Sequence, residues 1–334
     1  MIAKHPVGTP DTYLVTGAGG FIGSHLVETL LTQGVRVRAF VRYNSRGDPG
    51  LLNLLPPELS ANLEIISGDL RDQRAIYAAV EGCATVFHLG ALISIPYSYR
   101  HPYEVAESNF MGTLNVLMAC RDLGVRRLVH TSTSEVYGTA RRAPIDEEHP
   151  LQGQSPYSAS KIGADKLAES FHCTYELPVV TVRPFNTFGP RQSARAVLPT
   201  IITQALVQKT IKLGNLTTTR DFTYVSDTVR GFLLAASAEG VEGGVFNLGT
   251  GREIRIRAAA ELVAGLVGHP VSIELDPARL RPEKSEVMRL ISDNSLARQR
   301  LSWTPQVSLE EGLRRTVDWI RLHLDRYQPG RYEF

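Results

Sequence analysis

A glycine-rich turn between a short strand and a helix constrains this chain more than any other stretch of its sequence. Residues 12–16 (TYLVT) predict a buried strand, residues 17–23 (GAGGFIG) follow at once, and residues 24–31 have helical periodicity. Glycines let the backbone approach a ligand closely, and the helix N-terminus brings partial positive charge towards a pyrophosphate. The unit predicts a dinucleotide site, although its spacing is G-x-x-G-x-x-G. The expected contacts are Gly17, Gly20, Phe21, Ile22 and Gly23.

Strands and helices continue to alternate through the first half of the chain. This alternation indicates an α/β fold with a Rossmann-like doubly wound parallel sheet. Further strands are predicted at residues 35–41, 63–66, 85–89, 127–131, 179–182 and 245–248, the last one returning to the main sheet. Strong helices are predicted at residues 109–123 and 155–172.

The composition shifts after residue 183, which suggests two lobes with the ligand between them. We expect a dinucleotide-binding domain over residues 10–183, with return segments near residues 222–250. A smaller, discontinuous C-terminal substrate-binding lobe is expected over residues 184–221 and 251–330.

Charge and cysteine content exclude several classes of protein. A net charge of +2 over 334 residues, without a basic run, argues against nucleic-acid binding. Cys83, Cys120 and Cys173 are far apart, so we predict buried reduced thiols, with neither a disulfide framework nor a metal site. No apolar signal core and no membrane span are apparent, and we expect a soluble, cytoplasmic protein.

The end of the second strand bears on the choice of dinucleotide. An NAD site usually places an acidic residue there, but this chain has Val41 followed by Arg42, with Arg46 nearby. A guanidinium suits a 2′-phosphate, so we predict a preference for NADP over NAD. Two solvated loop arginines are the alternative interpretation. Other expected neighbours of the dinucleotide are Asp69 and Leu70 after the third strand and Leu89 and Ala91 after the fourth, where His88 is predicted to be a structural hydrogen-bonding residue.

Two segments carry the residue types needed for proton transfer. Tyr157 and Lys161 are four residues apart, so on a helix they share one face, and the ammonium favours ionisation of the phenol. We therefore predict a phenolate poised near neutral pH, able to accept a proton. Residues 132–135 (STSE) follow the fifth strand at the edge of the sheet where open α/β folds bind ligands.

Seven motifs in register along the chain resemble the extended short-chain dehydrogenases/reductases. They are GAGGFIG, GDL, HLGA, STSEVYG, YSASK, RPFNTFGPR and RDFTYVSD. Within that family the sequence is most similar to nucleotide-sugar 4,6-dehydratases, especially those acting on a nucleotide-linked N-acetylglucosamine in legionaminic-type sugar pathways. The resemblance extends from the glycine turn to the final helix.

The resemblance implies a mechanism with named residues. Tyr157, assisted by Lys161, would take the proton of the sugar 4-hydroxyl while hydride leaves C4 for the nicotinamide, and Thr133 would orient that hydroxyl. Glu135 would then remove the C5 proton, water would leave C6, and the hydride would return to C6. A tightly bound cofactor would thus be regenerated each turnover.

Ser134 departs from the Thr-Asp-Glu pattern of many such dehydratases, in which the Asp protonates the departing C6 oxygen. Because serine is a poor acid, either Glu135 returns its proton or a water relays it. Thr-Ser-Glu also resembles UDP-glucuronate decarboxylases, which remain the alternative together with 4-epimerases. Glu135 counts against an epimerase, and the intact set of catalytic residues counts against a non-enzymatic binding protein.

The resemblance also implies contacts with a nucleotide sugar and with a second subunit. Guanidinium groups suit the diphosphate, although any one arginine has a surface ion pair as its alternative role. Residues 109–123 and 155–172 have enough apolar surface to pair with a second copy in a four-helix bundle, so a homodimer is expected. The expected substrate-binding residues are Ser94, Asn186, Arg191, Leu198, Pro199, Arg220, Arg281 and Glu283.

Overall fold

The computed structural model describes residues 11–329, and it contains thirteen strands within them. In chain order these are β1 (Thr12–Thr16), β2 (Arg36–Arg42), β3 (Leu63–Gly68), β4 (Cys83–His88), β5 (Arg127–Thr131), β6 (Val179–Pro184), β7 (Thr187–Phe188), β8 (Thr210–Leu213), β9 (Thr219–Arg220), β10 (Thr223–Tyr224), β11 (Val245–Leu248), β12 (Ile254–Arg255) and β13 (Ser272–Leu275). The outermost predicted domain limits, residues 10 and 330, lie outside the described residues.

Eleven α-helices alternate with these strands in the described part of the chain. They are α1 (Phe21–Thr32), α2 (Gln73–Val80), α3 (Ile95–Arg100), α4 (Pro102–Ala106), α5 (Gly112–Asp122), α6 (Pro156–Tyr175), α7 (Val197–Val207), α8 (Val225–Ser237), α9 (Ile256–Leu266), α10 (Ser295–Leu301) and α11 (Leu309–Leu322). None of the helices between residues 11 and 329 is both long and apolar enough to cross a bilayer.

Seven strands form one parallel sheet in the order β11-β6-β5-β4-β1-β2-β3. The order reverses between β1 and β4, which creates a crevice at the carboxyl ends of these strands. Helices cover both faces, so the sheet is the predicted Rossmann-like, doubly wound α/β fold. β11 returns to the sheet edge beside β6, as predicted.

The two faces of the sheet are packed by two main groups of apolar side chains. One group joins α1, α7, α8, α9 and α11 to the sheet and includes the fully buried Trp303. The other joins α2, α5 and α6 to the opposite face, with Val116 and Leu117 of α5 completely buried. Three two-stranded sheets, β10-β7, β12-β9 and β13-β8, lie outside the central sheet. The division into two lobes stays a prediction.

The helix predicted at residues 109–123 differs from the observed one. The helical run begins at α4 and passes through a π-helical turn at Glu107–Met111 before α5. Hydrogen bonds in such a turn join residues five apart, and the periodicity of apolar residues does not predict them. The turn places Asn109 in the interior, where it is 1% exposed.

The prediction that all three cysteines are buried is wrong for one of them. Cys83 and Cys120 are buried, whereas Cys173 is exposed. Cys173 lies in the last turns of α6, on the side of the helix that faces away from the sheet. Burial raises the pKa of the Cys83 thiol to about 11, so this thiol stays protonated at neutral pH.

Candidate active site

A cavity of about 560 Å³ lies at the carboxyl ends of the central strands. It is lined by the glycine turn, the end of β2, the segments after β4, β5 and β6, and Tyr157 of α6. Of the predicted site residues, those that line it are Gly17, Gly20, Phe21, Ile22, Gly23, Arg42, Leu89, Ala91, Thr133, Ser134, Glu135, Tyr157 and Asn186. Sequence reasoning did not single out Asp48, Pro49, Gly50, Thr187 or Gln192, which also line it.

The glycine turn has the close backbone approaches that a pyrophosphate cradle needs. Gly17 has a φ of +68°, and a Cβ there would lie 2.8 Å from the Gly90 nitrogen. At Gly23 a Cβ would collide with the Gly17 carbonyl. Only glycine allows this path from β1 into α1, whose N-terminus opens onto the cavity. These residues fit a dinucleotide.

His88 holds the segment after β4 to its neighbours, as predicted for a structural hydrogen-bonding residue. The Thr113 hydroxyl donates its single hydrogen to the Asn109 carbonyl at 2.6 Å. The Nε2 of His88, 3.0 Å from Thr113 Oγ1, must therefore be the donor of that pair. His88 Nδ1 then accepts from the Thr16 hydroxyl at 2.8 Å. Burial lowers the pKa of His88 well below its ordinary value, so the ring is neutral.

Asn109 in the π-helical turn fixes two functional segments at once. Its amide nitrogen donates to the Leu92 carbonyl at 2.9 Å and to Ser160 Oγ at 3.0 Å. Its side-chain oxygen accepts from the Leu92 backbone nitrogen at 2.7 Å. The loop after β4 is thereby tied to the helix that carries Tyr157. Sequence reasoning missed this residue because its role depends on the irregular turn.

The segment after β5 forms a tight turn over the cavity. Thr133 is extended, but Ser134–Tyr137 is a 3₁₀ helix that the Thr133 hydroxyl caps by accepting from the Glu135 nitrogen at 3.2 Å. The extended backbone of β5 therefore ends at Thr133. Thr133 and Glu135 nevertheless line the same cavity as Tyr157, because the turn brings their side chains together there.

Tyr157 and Lys161 lie one turn apart near the start of α6. Ser155 caps this helix by accepting from the Ser158 nitrogen at 3.1 Å, and Ser158 reciprocates by accepting from the Ser155 nitrogen at 3.0 Å. Tyr157 reaches the cavity, whereas Lys161 is buried behind it and donates to the Thr131 carbonyl at 2.6 Å. Burial lowers the pKa of Lys161 to about 8, an effect that Asp165 opposes.

The predicted phenolate does not arise from the protein groups alone. Burial raises the pKa of Tyr157 above its ordinary value, and the nearby Glu135 carboxylate raises it further, while a hydrogen bond with Thr133 lowers it. Desolvation of a charged oxygen is the largest of these effects. A phenolate poised near neutral pH therefore stays a prediction, which bound NAD(P)⁺ would favour by adding a positive charge.

Ion pairs engage the predicted dinucleotide-binding residues at the end of β2 and after β3. Arg42 Nη2 lies 3.2 Å from Glu104 Oε1. Asp69 accepts from Arg71 at 2.7 and 2.9 Å, so its carboxylate is engaged in the turn after β3. Leu70 lies against α5, where its carbonyl accepts from Asn115 at 2.9 Å. Arg46 is exposed and does not line the cavity.

The predicted diphosphate ligands Arg220 and Arg281 share one carboxylate. Glu286 Oε1 lies 3.5 Å from Arg220 Nη2 and 3.9 Å from Arg281 Nη1. Burial lowers the pKa of Arg220, and the Arg281 charge lowers it further, while Glu135 and Glu286 raise it. Guanidinium groups suit a phosphate ligand, because their planar donors match its oxygens.

The other predicted substrate residues are more scattered. Asn186 lines the cavity, and its buried Oδ1 has no hydrogen-bond partner among the described residues. Arg191 instead turns towards α1 and pairs with Glu28 at 2.6 Å. Ser94 caps α3, Leu198 and Pro199 are buried within α7, and Glu283 is exposed at the start of a 3₁₀ turn.

Comparison with known proteins agrees with this fold. The model of the GDP-mannose 4,6 dehydratase family matches residues 14–316. A UDP-glucose 4-epimerase from Mycolicibacterium smegmatis is 37% identical, over 92% of this chain and 98% of that enzyme. A dTDP-glucose 4,6-dehydratase from Actinoplanes sp. is 32% identical, over 92% of this chain and 97% of that enzyme.

A solved structure extends the likeness to three dimensions. The dTDP-glucose 4,6-dehydratase DesIV from Streptomyces venezuelae, with NAD and TYD bound, superimposes with a TM-score of 0.83 at 30% identity. The match covers 95% of this chain and 99% of that one.

The fold and the site thus define an extended short-chain dehydrogenase/reductase that acts on nucleotide sugars with an NAD(P) cofactor. Within that class, the chain belongs to the GDP-mannose 4,6-dehydratase family, whose relatives here carry both dehydratase and 4-epimerase names. The predicted resemblance to this family is confirmed. The narrower resemblance to N-acetylglucosamine dehydratases of legionaminic-type pathways stays a prediction.

Proposed function

We propose that this enzyme is a nucleotide-sugar 4,6-dehydratase that converts an NDP-hexose, in particular NDP-N-acetylglucosamine, to the 4-keto-6-deoxy sugar. The observation that carries the proposal is that Glu135 lines the same cavity as Thr133 and Tyr157. Transient oxidation at C4 needs a group that accepts the hydroxyl proton. Elimination of water needs a second base for the acidified C5 hydrogen, and a carboxylate is suited to this role.

Tyr157 is the proposed acceptor of the 4-hydroxyl proton. Thr133, which lines the same cavity, orients the sugar hydroxyl towards it. Bound NAD(P)⁺ supplies the hydride acceptor and the additional positive charge that favours the phenolate. Lys161 adds a second positive charge one turn behind the phenol.

Glu135 is the proposed base for the C5 proton. The 4-ketone acidifies that hydrogen, so a carboxylate in contact with it can remove it. Ser134 lines the cavity but is too weak an acid to protonate the departing C6 oxygen. Either Glu135 delivers the proton it has just taken or a water relays one.

Arg220 and Arg281 are the proposed ligands of the diphosphate, with Asn186 near the reacting sugar. Their guanidinium groups share Glu286, and an incoming diphosphate would compete with that carboxylate for them. The unpartnered Asn186 Oδ1 offers an acceptor for a sugar or ribose hydroxyl. Arg191, Leu198, Pro199, Ser94 and Glu283 remain proposed contacts from the resemblance.

A 4-epimerase is the second candidate, because a relative with that name is 37% identical over nearly its whole length. An epimerase returns the hydride to C4 and has no use for a base at C5, so Glu135 distinguishes the two activities. A UDP-glucuronate decarboxylase shares the C4 oxidation but loses carbon dioxide.

The deciding experiment follows product mass. The purified enzyme is incubated with UDP- and GDP-linked N-acetylglucosamine, and in parallel with UDP-glucuronate. Loss of one water supports the dehydratase, and loss of carbon dioxide from the uronate supports the decarboxylase. An unchanged mass with a new 4-epimer overturns the proposal in favour of the epimerase.

A further inference from the structure

Two neighbouring contacts join α6 to the end of β5 behind the cavity, and Lys161 makes one of them. The ammonium donates to the Thr131 carbonyl at 2.6 Å. The next residue, Ser132, donates its hydroxyl to Asp165 Oδ2 at 2.7 Å. Asp165 follows Lys161 by four residues on α6, so both contacts start from the same helix. One contact from Lys161 and one from Asp165 therefore join α6 to the end of β5.

The carboxylate of Asp165 also contacts the side chains of Arg183 and His130. Arg183 donates to it at 2.9 and 3.2 Å, and His130 Nε2 lies 3.1 Å from it. Burial lowers the pKa of His130, so the ring is neutral at neutral pH. Contacts with His130 and Arg183 outweigh burial and hold the pKa of Asp165 at about 2. One buried negative charge thus faces two buried cations, Lys161 and Arg183.

The groups that face Lys161 come from four elements. Asp165 and Tyr157 belong to its own helix, His130 lies on β5, His88 on β4 and Arg183 on β6. The two histidines stack with their ring centroids 5.9 Å apart, and both are completely buried. Among these five groups, only Asp165 is negatively charged at neutral pH.

We propose that Asp165 is a positioning residue for Lys161, which keeps the buried ammonium charged and fixes it against the end of β5 through Ser132 and Thr131. The inference rests on the proposed function in that Lys161 assists Tyr157. The inference itself, however, concerns the charge and place of one lysine, and these can be measured without turnover.

The sign of the effect follows from burial. Desolvation lowers the pKa of Lys161 to about 8, and Asp165 raises it in opposition. The ammonium is present below this pKa and is lost as the pH rises through it. Removing the carboxylate charge should lower the pKa further, by about one unit. The charged lysine would then be lost at a lower pH.

A second cavity behind the helix allows a matched set of variants. It has a volume of about 640 Å³, is lined by Asp165 and Arg183, and gives room for one extra methylene. Asp165→Glu therefore keeps the charge, whereas Asp165→Asn keeps the shape. Asp227→Asn is the control, since Asp227 is 2% exposed, pairs with Arg230 at 2.9 Å and lies outside the active-site cavity.

The test measures the pKa of Lys161 directly. The chain has six lysines, so protein labelled with ¹³C at lysine Cε gives few signals, and Lys161→Met identifies the one of interest. We expect Asp165→Asn to lower that pKa by about one unit, with Asp165→Glu close to the parent and Asp227→Asn unchanged. If Asp165→Asn does not fold, the double variant with Arg183→Gln removes the buried pair together. An unchanged Lys161 pKa in the folded variant overturns the proposal.

Activity gives the second readout. In Asp165→Asn, the alkaline limb of kcat/KM should move to lower pH, so that activity falls roughly eightfold at pH 9 but little at pH 6 for a one-unit shift. A purely structural role would lower activity equally at both values, and that result would overturn the proposal. If the wild-type enzyme forms no dehydrated product while the Lys161 pKa still shifts, the proposed function fails and the inference about Asp165 stands.

Discussion

Arg42 and Glu104 form an ion pair across the edge of the cavity, with Nη2 3.2 Å from Oε1. Glu104 also accepts from the Tyr97 hydroxyl at 2.5 Å, so the carboxylate is held by two partners. The pair connects the end of β2 with α4, and its guanidinium lines the cavity. A 2′-phosphate at this edge would compete with Glu104 for Arg42.

We expect the protein to prefer NADP over NAD. The carboxylate of Asp48 also lines the cavity, but it is engaged with the Gly50 nitrogen at 2.9 Å and with Asn53 at 2.8 Å. Arg42→Ala should weaken NADP binding about ten- to a hundredfold, the range for a charged hydrogen bond, and leave NAD binding nearly unchanged. Calorimetric titration with both dinucleotides measures this, with Arg46→Ala as the control. Recovery of NAD alone from denatured protein, with unchanged binding in Arg42→Ala, would show that Arg42 is a solvated arginine.

Tyr157→Phe should fold and bind the dinucleotide but lose turnover. The ring keeps its packing beside Ile95 and Val105, while the group that accepts the 4-hydroxyl proton is removed. Product formation and dinucleotide affinity are measured on the same preparation. Activity like that of the wild type would remove Tyr157 from the mechanism.

Glu135→Gln should separate oxidation from elimination. Because the variant keeps the shape but lacks the base, C4 oxidation continues and reduced cofactor accumulates. Release of dehydrated sugar should fall on the order of a hundred- to ten-thousand-fold. Exchange of the C5 hydrogen with solvent deuterium should stop as well. Glu169→Gln, an exposed residue of the same protein, serves as the control. A variant that turns over and exchanges normally would contradict the role of Glu135.

We expect a homodimer formed by α5 and α6 with their counterparts in a second copy. Tyr103 and Met111, which precede α5, are 78% and 45% exposed. Large apolar side chains exposed beside a helix pair are typical of a surface that a second subunit covers. Met111→Glu should shift sedimentation towards the monomer at micromolar concentration, because it buries a charge in the interface. Leu322→Glu on α11, at a position 80% exposed, should leave the dimer intact. A wild-type monomer would refute the prediction.

Much of the fold follows from local patterns. The strands β1, β5 and β11 have the predicted limits, because short apolar runs are bounded there by glycine or polar residues. The glycine turn and the start of α6 are also local, since glycine conformation and a serine cap need no distant partner. Among the cavity lining, these features identified the glycine turn, residues 133–135 and Tyr157.

The parts that were missed depend on contacts between distant residues. Asn109 works through an irregular turn and through Leu92 and Ser160, neither of which is adjacent in sequence. The high pKa of Tyr157 results from burial, which spacing along a helix does not report. The contacts of Lys161 and Asp165 with the end of β5 form only when β5 and α6 pack together. The sequence alone therefore did not indicate a role for Asp165.

The position of β11 at the sheet edge governs when the active site matures during synthesis. Asn247 on this strand accepts from the Tyr137 hydroxyl at 2.8 Å and donates to the Ile145 carbonyl at 3.1 Å. Tyr137 ends the turn that carries Glu135, so that turn lacks its hydrogen bond to Asn247 until residue 247 has left the ribosome. Because chains fold from the N-terminus as they emerge, the dinucleotide half can form early with β6 as an open edge. A nascent chain stalled before β11 should therefore bind dinucleotide without being able to process a sugar.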